Sequence, residues 1–196
     1  RIPYAKNFAT SVSLFYSGYN AGNFSYMYDG DMNQDGINND LIYIPKSKDE
    51  LTFVDKNGFT AEQQAEAFWN YVNQDSYLKN HKGEYAKAYS ARYPWVNQID
   101  LKVVQDFIVK AGKTTNTLQV SLDIFNLGNL LKDTWGVTKV PVNSGRILKY
   151  EGVTADNVPT FSMYQSENKL PTETFSYLKN SSNCWQIQVG IRYIFN

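Results

Sequence analysis

The chain has 196 residues, enough for one domain with a sizeable core. Its 19 Lys and Arg balance 19 Asp and Glu, so it lacks the basic excess that nucleic-acid binding needs. The absence of any run of about 18 apolar residues excludes a transmembrane helix, but not transmembrane strands, for which about ten alternating residues suffice.

The chain opens on Arg1 with no initiator Met and no signal peptide behind it, so it reads as a piece of something longer. Tyr, with 15 copies, leads an aromatic content of 15%, which suits pleated sheets and interfacial belts alike. A lone Cys184 cannot form an internal disulfide and says nothing of compartment.

In "TSVSLFY", Val12, Leu14 and Tyr16 share one face and Ser11 and Ser13 the other, the period of a strand. About eighty residues then separate Tyr16 from Ile99, too many for a bare loop. Among them is "DGDMNQDGINND". Asp31, Asn33 and Asp35 stand at alternate positions before Gly36, as at positions 1, 3 and 5 of an EF-hand-type loop. The Ile37 carbonyl would follow at position 7. Ile42 replaces the usual bidentate Glu at position 12, and Asp40 is the substitute. Oxygen donors without nearby His or Cys select Ca²⁺ over Zn²⁺; the other reading is an Asn/Asp/Gly-rich surface turn with no ion.

Further on, Thr60 and Gln63 form a capping box, with Ala61, Ala65, Phe68 and Val72 on one helical stripe. Asp75 would cap a second short helix and Gly83 end it. Trp69, Tyr71, Tyr85, Tyr89 and Tyr93 form either a ligand-facing patch or packing for this insert. The only histidine, His81, is placed to bond terminal helix carbonyls; a Ser-His-Asp triad is not visible, and no catalytic residue is assigned.

Two further alternating segments follow, "NQIDLKV" and "TLQVSLDI", joined across "KAGKTTNT", a short polar turn. The second breaks at "FNLGNLL", where Asn126, Gly128 and Asn129 permit a bend. "RILKYEG" and "PTFSMYQ" flank the turn-rich "VTADNVP" as a hairpin. The last segment, "WQIQVGIRYIF", sets Trp185, Ile187, Val189, Ile191, Tyr193 and Phe195 against Gln186, Gln188, Gly190 and Arg192. The expected fold is all-β, with strands plus one elaborate loop and not two domains.

Alternation does not name the solvent on each face. In a soluble sandwich the apolar face is core; in an outer-membrane barrel it meets lipid and the polar face lines the lumen. Three features favour the barrel: an apolar band between terminal aromatics, short turns alternating with long loops, and an aromatic-ended final strand. Asp100, Lys102, Asp106, Asp123 and Arg192 are then candidate lumen charges, or simply a solvated face.

"SVSLFYSGY", "GDMNQDGINNDLIYIP", "YPWVNQIDLKVVQDF", "DIFNLGNLL" and "QVGIRYIFN" together resemble the C-terminal end of TonB-dependent outer-membrane receptors. The likeness is to the large Oar-like receptors of Bacteroidetes, which carry a carboxypeptidase-regulatory-like domain. It spans nearly the whole chain and is weakest in the helical insert. It implies that residues 1–196 are the C-terminal portion of one barrel, about six antiparallel strands, with residues 17–95 a long, partly helical extracellular loop. Implied partners are the rest of the barrel, its plug, outer-membrane lipid, a TonB-type coupling protein reached through the missing N-terminal part, and a surface lipoprotein. In that orientation Leu130 and Leu131 would pack under the next loop. The implied work is nutrient uptake across the outer membrane, not catalysis. The rival readings are a soluble extracellular β-sandwich that binds carbohydrate with a structural calcium, and a secreted hydrolase fragment, disfavoured by the missing catalytic constellation.

Overall fold

The computed structural model describes residues 1–195; Asn196, the last residue of "RYIFN", lies outside them. Strands dominate its regular structure, so the chain is all-β with few helices. It divides into two compact units.

The first unit takes residues 1–20, 95–138 and those from 177 onward. Strands β1 (Ile2–Tyr4), β2 (Phe8–Asn20), β3 (Trp95–Ala111), β4 (Thr114–Phe125) and β5 (Gln186–Phe195) pair in chain order as one antiparallel sheet. The sheet has five strands where about six were expected. It is open: no closed barrel forms among the described residues. The register keeps the alternation aligned, pairing Val12 with Val103, Val103 with Leu122, and Leu122 with Val189. Register is pinned because a slip of one residue would carry every apolar side chain to the other face.

At one end of the sheet the connections are tight. Ala5 and Lys6, both at positive φ, join β1 to β2. Between β3 and β4 the polar turn expected over "KAGKTTNT" shrinks to Gly112 and Lys113, since Lys110 pairs with Thr115 and Ala111 with Thr114. A left-handed residue, here Gly112 at φ 63°, matches the twist of the flanking strands, so the ladder runs on through polar residues to the turn. At the other end the connections are long, residues 21–94 and 126–185. After β4, Asn126 turns left-handed at φ 51° and Leu127–Leu131 makes one helical turn. Leu130 and Leu131 there are both exposed rather than packed under a loop.

The second unit takes Ala21–Pro94 and Lys139–Ser176. The insert is therefore bounded differently from 17–95: residues 17–20 finish β2 and Trp95 begins β3. It is also completed by a second segment. Phe24, Tyr26, Tyr28, Ile42, Ile44, Phe53, Phe68, Tyr71, Val72 and Leu78 share one hydrophobic core with Ile147, Leu148, Phe161 and Met163. The expected hairpin forms, Leu148–Val153 with Pro159–Met163, and Tyr28–Asp29 and Thr52–Phe53 add to its edges in parallel.

Helix α1 (Ala61–Gln74) carries the expected capping box at Thr60 and Gln63. Its buried stripe is Gln64, Phe68, Tyr71 and Val72, displaced from the Ala61–Ala65 line. Gln64 explains the displacement. Its Nε2 donates to the Val54 carbonyl at 2.7 Å, and its Oε1 accepts the Met163 N–H at 2.9 Å. A polar side chain thus occupies a core position by satisfying backbone groups of two segments, the end of the Pro159–Met163 strand and the residue after Thr52–Phe53. Asp75 Oδ1 accepts from the Tyr77 and Leu78 N–H groups at 2.9 and 2.8 Å at the start of the short helix Leu78–Asn80, although the N-cap position there is Tyr77 and the helix ends at His81, ahead of the expected Gly83.

Candidate functional site

In β2 to β5 one face is mainly apolar and the other mainly polar, and the mainly apolar faces coincide; Phe15, Tyr19, Val104 and Phe125 nevertheless stand on the polar side, and Thr10 and Gln105 on the apolar side. The middle rows are aliphatic: Leu14, Leu101, Ile124 and Ile187, then Val12, Val103, Leu122 and Val189. Toward the short turns lie Tyr4, Phe8, Phe107, Tyr193 and Phe195, with Phe8 edge-on to Phe107 at 5.7 Å. Toward the long connections lie Tyr16 and Trp95, with Trp185 just before β5. Gly18 sits beneath the Tyr16 hydroxyl and the Trp95 indole: a Cβ there would approach them to 2.7 and 2.9 Å. From Phe8 to Tyr16 is about 27 Å along the strand, at about 3.4 Å per residue.

This face is bare. Val12, Leu14, Val189 and Ile191 are 61%, 69%, 66% and 74% exposed. Ile99, Leu118 and Ile187 are exposed as well. All members of the hydrophobic core cluster lie in the second unit. Apolar residues on this scale are ordinarily buried, each worth about 1.5–3 kcal/mol.

The opposite face is mainly polar, with Phe15, Tyr19 and Phe125 exposed among its polar residues, and most of its charges are paired. Lys102 meets Asp123 across β3 and β4, Nζ to Oδ1 at 2.6 Å. Asp106 accepts from the Arg1 guanidinium at 2.9 Å and from Gln119 Nε2 at 2.8 Å. Asp100 accepts the Asn126 N–H at 2.7 Å, fixing the bend after β4. Arg192 lies opposite Gln119. Four of the five candidate lumen charges therefore have partners, which keeps a row of charges compatible with a narrow polar surface.

In the second unit, Asp31–Asp40 curls on itself. Asp31 Oδ1 and Oδ2 accept from the Asp35 and Gly36 N–H groups at 3.2 and 2.7 Å. Asn33 Oδ1 accepts from Asp35 N–H, and Asp35 Oδ1 from Ile37 N–H. Asp40 Oδ2 turns back to the Met32 and Asn33 N–H groups at 2.7 and 3.2 Å. Gly36, at φ 89°, makes the sharp turn, and Ile42 is a core residue that offers no donor. The donor chemistry fits a hard cation: carboxylates and amide of four side chains fold onto one turn. No cluster of three His, Cys, Asp or Glu side chains able to hold a metal occurs among the described residues.

The remaining candidates separate. His81 Nδ1 lies 2.8 Å from the Tyr77 carbonyl and the two rings stack, the helix-end role expected. Of the aromatic patch, Tyr71 is fully buried, while Tyr85 and Tyr89 stay in water. Trp69 lies under Lys82 Nζ at 4.1 Å. A buried polar group that the sequence did not reveal joins Tyr26 Oη and Thr174 Oγ1 to Asp75 Oδ2 at 2.9 and 2.8 Å. Burial, with Tyr71 and Asp75 nearby, drives the Tyr26 hydroxyl far above the usual tyrosine range. Comparison with family models, curated proteins and solved structures finds no match to this chain.

Proposed function

We propose that the chain is the C-terminal barrel segment of a TonB-dependent outer-membrane receptor of the Oar-like branch. The observation that carries this reading is the bare apolar face, an aliphatic band bordered by aromatics, back to back with a paired polar face. In hydrocarbon that face is at home, and a band of about 25 Å is what outer-membrane strands present to lipid. The short turns would face the periplasm and the long connections the exterior, where the second unit would meet nutrient. Passage would be gated by a plug and driven through a TonB-type coupling protein, both outside this chain, with a surface lipoprotein as a candidate partner. The work is binding and transport without bond-breaking. Asp31, Asn33, Asp35, Ile37 and Asp40 would hold Ca²⁺ and stiffen an exterior loop.

Both outer edges of the sheet, β1 and β5, lack a partner strand among the described residues. Unpaired edges are not tolerated in hydrocarbon, so the remaining barrel must supply their partners. The alternative, a soluble extracellular β-sandwich that binds carbohydrate, needs a second sheet over Ile99, Leu118, Ile187 and Val189, and these are exposed.

The test is to express residues 1–196 without detergent. Aggregation that detergent or lipid relieves is expected. A monodisperse, soluble, cooperatively melting monomer would sink the membrane reading and favour the sandwich.

A further inference from the structure

Its own backbone holds strand β1 weakly. The strand has three residues, and the middle one, Pro3, has no N–H to give to the ladder. The turn into β2 keeps Ala5 and Lys6 at φ 45° and 57°, a left-handed conformation that residues other than glycine rarely adopt. Alternation leaves the register open as well. A slip of one residue would turn Ile2 and Tyr4 to the polar face. A slip of two, setting Tyr4 against Thr10 and Ile2 against Val12, would keep every side chain on its own face. Side chains fix what the backbone does not, and they reach past β2 to β3. On the apolar side Tyr4 Oη donates to Gln105 Oε1 at 2.9 Å, and Thr10 Oγ1 donates to the same oxygen at 2.6 Å. Gln105 Nε2 donates to the Asp106 carbonyl at 2.9 Å. On the polar side Arg1, one residue before β1, donates to Asp106 Oδ2 from Nε at 3.1 Å and from Nη2 at 2.9 Å. Gln119 Nε2, from β4, holds the other Asp106 oxygen at 2.8 Å.

We infer that Gln105 and Asp106, adjacent on β3, are a register latch that grips β1 from both faces of the sheet. A slip of two residues would carry the Tyr4 hydroxyl and the Arg1 guanidinium about 7 Å along the sheet, out of reach of both. The latch also accounts for the polar row on the apolar side. Gln105 lies opposite Thr10 on one flank and Val120 on the other, and its amide is bonded at both ends, as a polar group away from water needs to be. The Tyr4 ring adds a stack on Phe8, 5.8 Å between centroids and 18° from parallel. None of these contacts depends on where the sheet resides. Their consequence does rest on the barrel reading. The outer edge of β1 is open, so the register of β1 sets the register in which the rest of the barrel joins it, and with it the stagger on which closure depends.

The test is NMR on the whole chain in detergent micelles, reading cross-strand proton contacts and amide exchange. The parent should show contacts between Tyr4 and Phe8 and between Ile2 and Thr10. Gln105→Leu and Arg1→Ala should each speed exchange in β1 about tenfold. Together they should abolish both contacts, whether β1 slips to pair Tyr4 with Thr10 or leaves the sheet. Contacts between Val12 and Val103 should persist in every variant, which a general loss of folding would not permit. Lys102→Ala, which breaks an ion pair of β3 that does not involve β1, should leave β1 as in the parent. Unchanged contacts and exchange in the combined variant overturn the inference, as does equal loss of β1 in Lys102→Ala. The expected results from a protein that stays soluble and monomeric without detergent would keep the latch and remove the barrel reading.

Discussion

Lys102 Nζ lies 2.6 Å from Asp123 Oδ1 across β3 and β4, while their chain neighbours Val103 and Leu122 pair on the opposite face. One residue of chain thus separates an ion pair from a fully apolar row. A sheet built this way has two surfaces suited to two different solvents.

Substitution on the two faces should therefore differ. Val189→Arg, in the middle aliphatic row, should cost about 2–4 kcal/mol when the protein is unfolded from lipid vesicles with urea. Gln188→Arg, its neighbour on the polar face, should be close to neutral. Equal costs at the two positions would mean that the apolar face does not meet hydrocarbon.

The second unit should lose stability without the sheet following it. Phe68→Ala opens its core and should cost about 3–5 kcal/mol. Gln64→Ala leaves the Met163 N–H without its acceptor and should cost about 1–3 kcal/mol. Amide exchange measured strand by strand is the readout. Protection should fall in 21–94 and 139–176 while β2, β3 and β4 keep theirs; uniform loss would show that both units unfold as one.

Alkaline pH should unfold the second unit. Burial raises the Tyr26 and Tyr71 hydroxyls above their ordinary value, so both stay neutral in the folded state. Below about pH 10 the unfolded chain is neutral there as well and the full stability is present. Above it the unfolded tyrosines ionise first, and stability falls as pH rises toward the folded values. Tyrosinate absorbance should therefore rise together with loss of structure, rather than ahead of it, for these two residues.

Calcium is testable by linkage. If the Asp31–Asp40 loop holds Ca²⁺, a hundredfold excess over the dissociation constant should add about 2.7 kcal/mol to the second unit. Excess EGTA should remove it, and Asp31→Asn with Asp35→Asn should abolish the response. A thermal midpoint indifferent to both additions would identify the loop as an ion-free Asx turn.

The sequence by itself determined the strands. Alternation over 12–16, 98–103, 118–124 and 185–195 is a local property, because the pleat turns successive side chains to opposite faces whatever the neighbours are. The Thr60 capping box, the Asp75 bond to the Leu78 N–H and the hairpin across "VTADNVP" were legible for the same reason: each is satisfied within a few residues of chain. Tertiary structure decided what spans long separations. Residues 139–176 joined the core of the insert because Ile147, Leu148, Phe161 and Met163 find apolar partners only there, and no local period announces that. Gln64 entered the core, and Tyr71 left the exposed aromatic patch, because buried backbone groups and packing density outweigh residue type. The bareness of the apolar face was likewise unreadable from its own strands. Alternation prescribes that two faces differ, but only the placement of every other residue decides whether anything in the chain covers one of them.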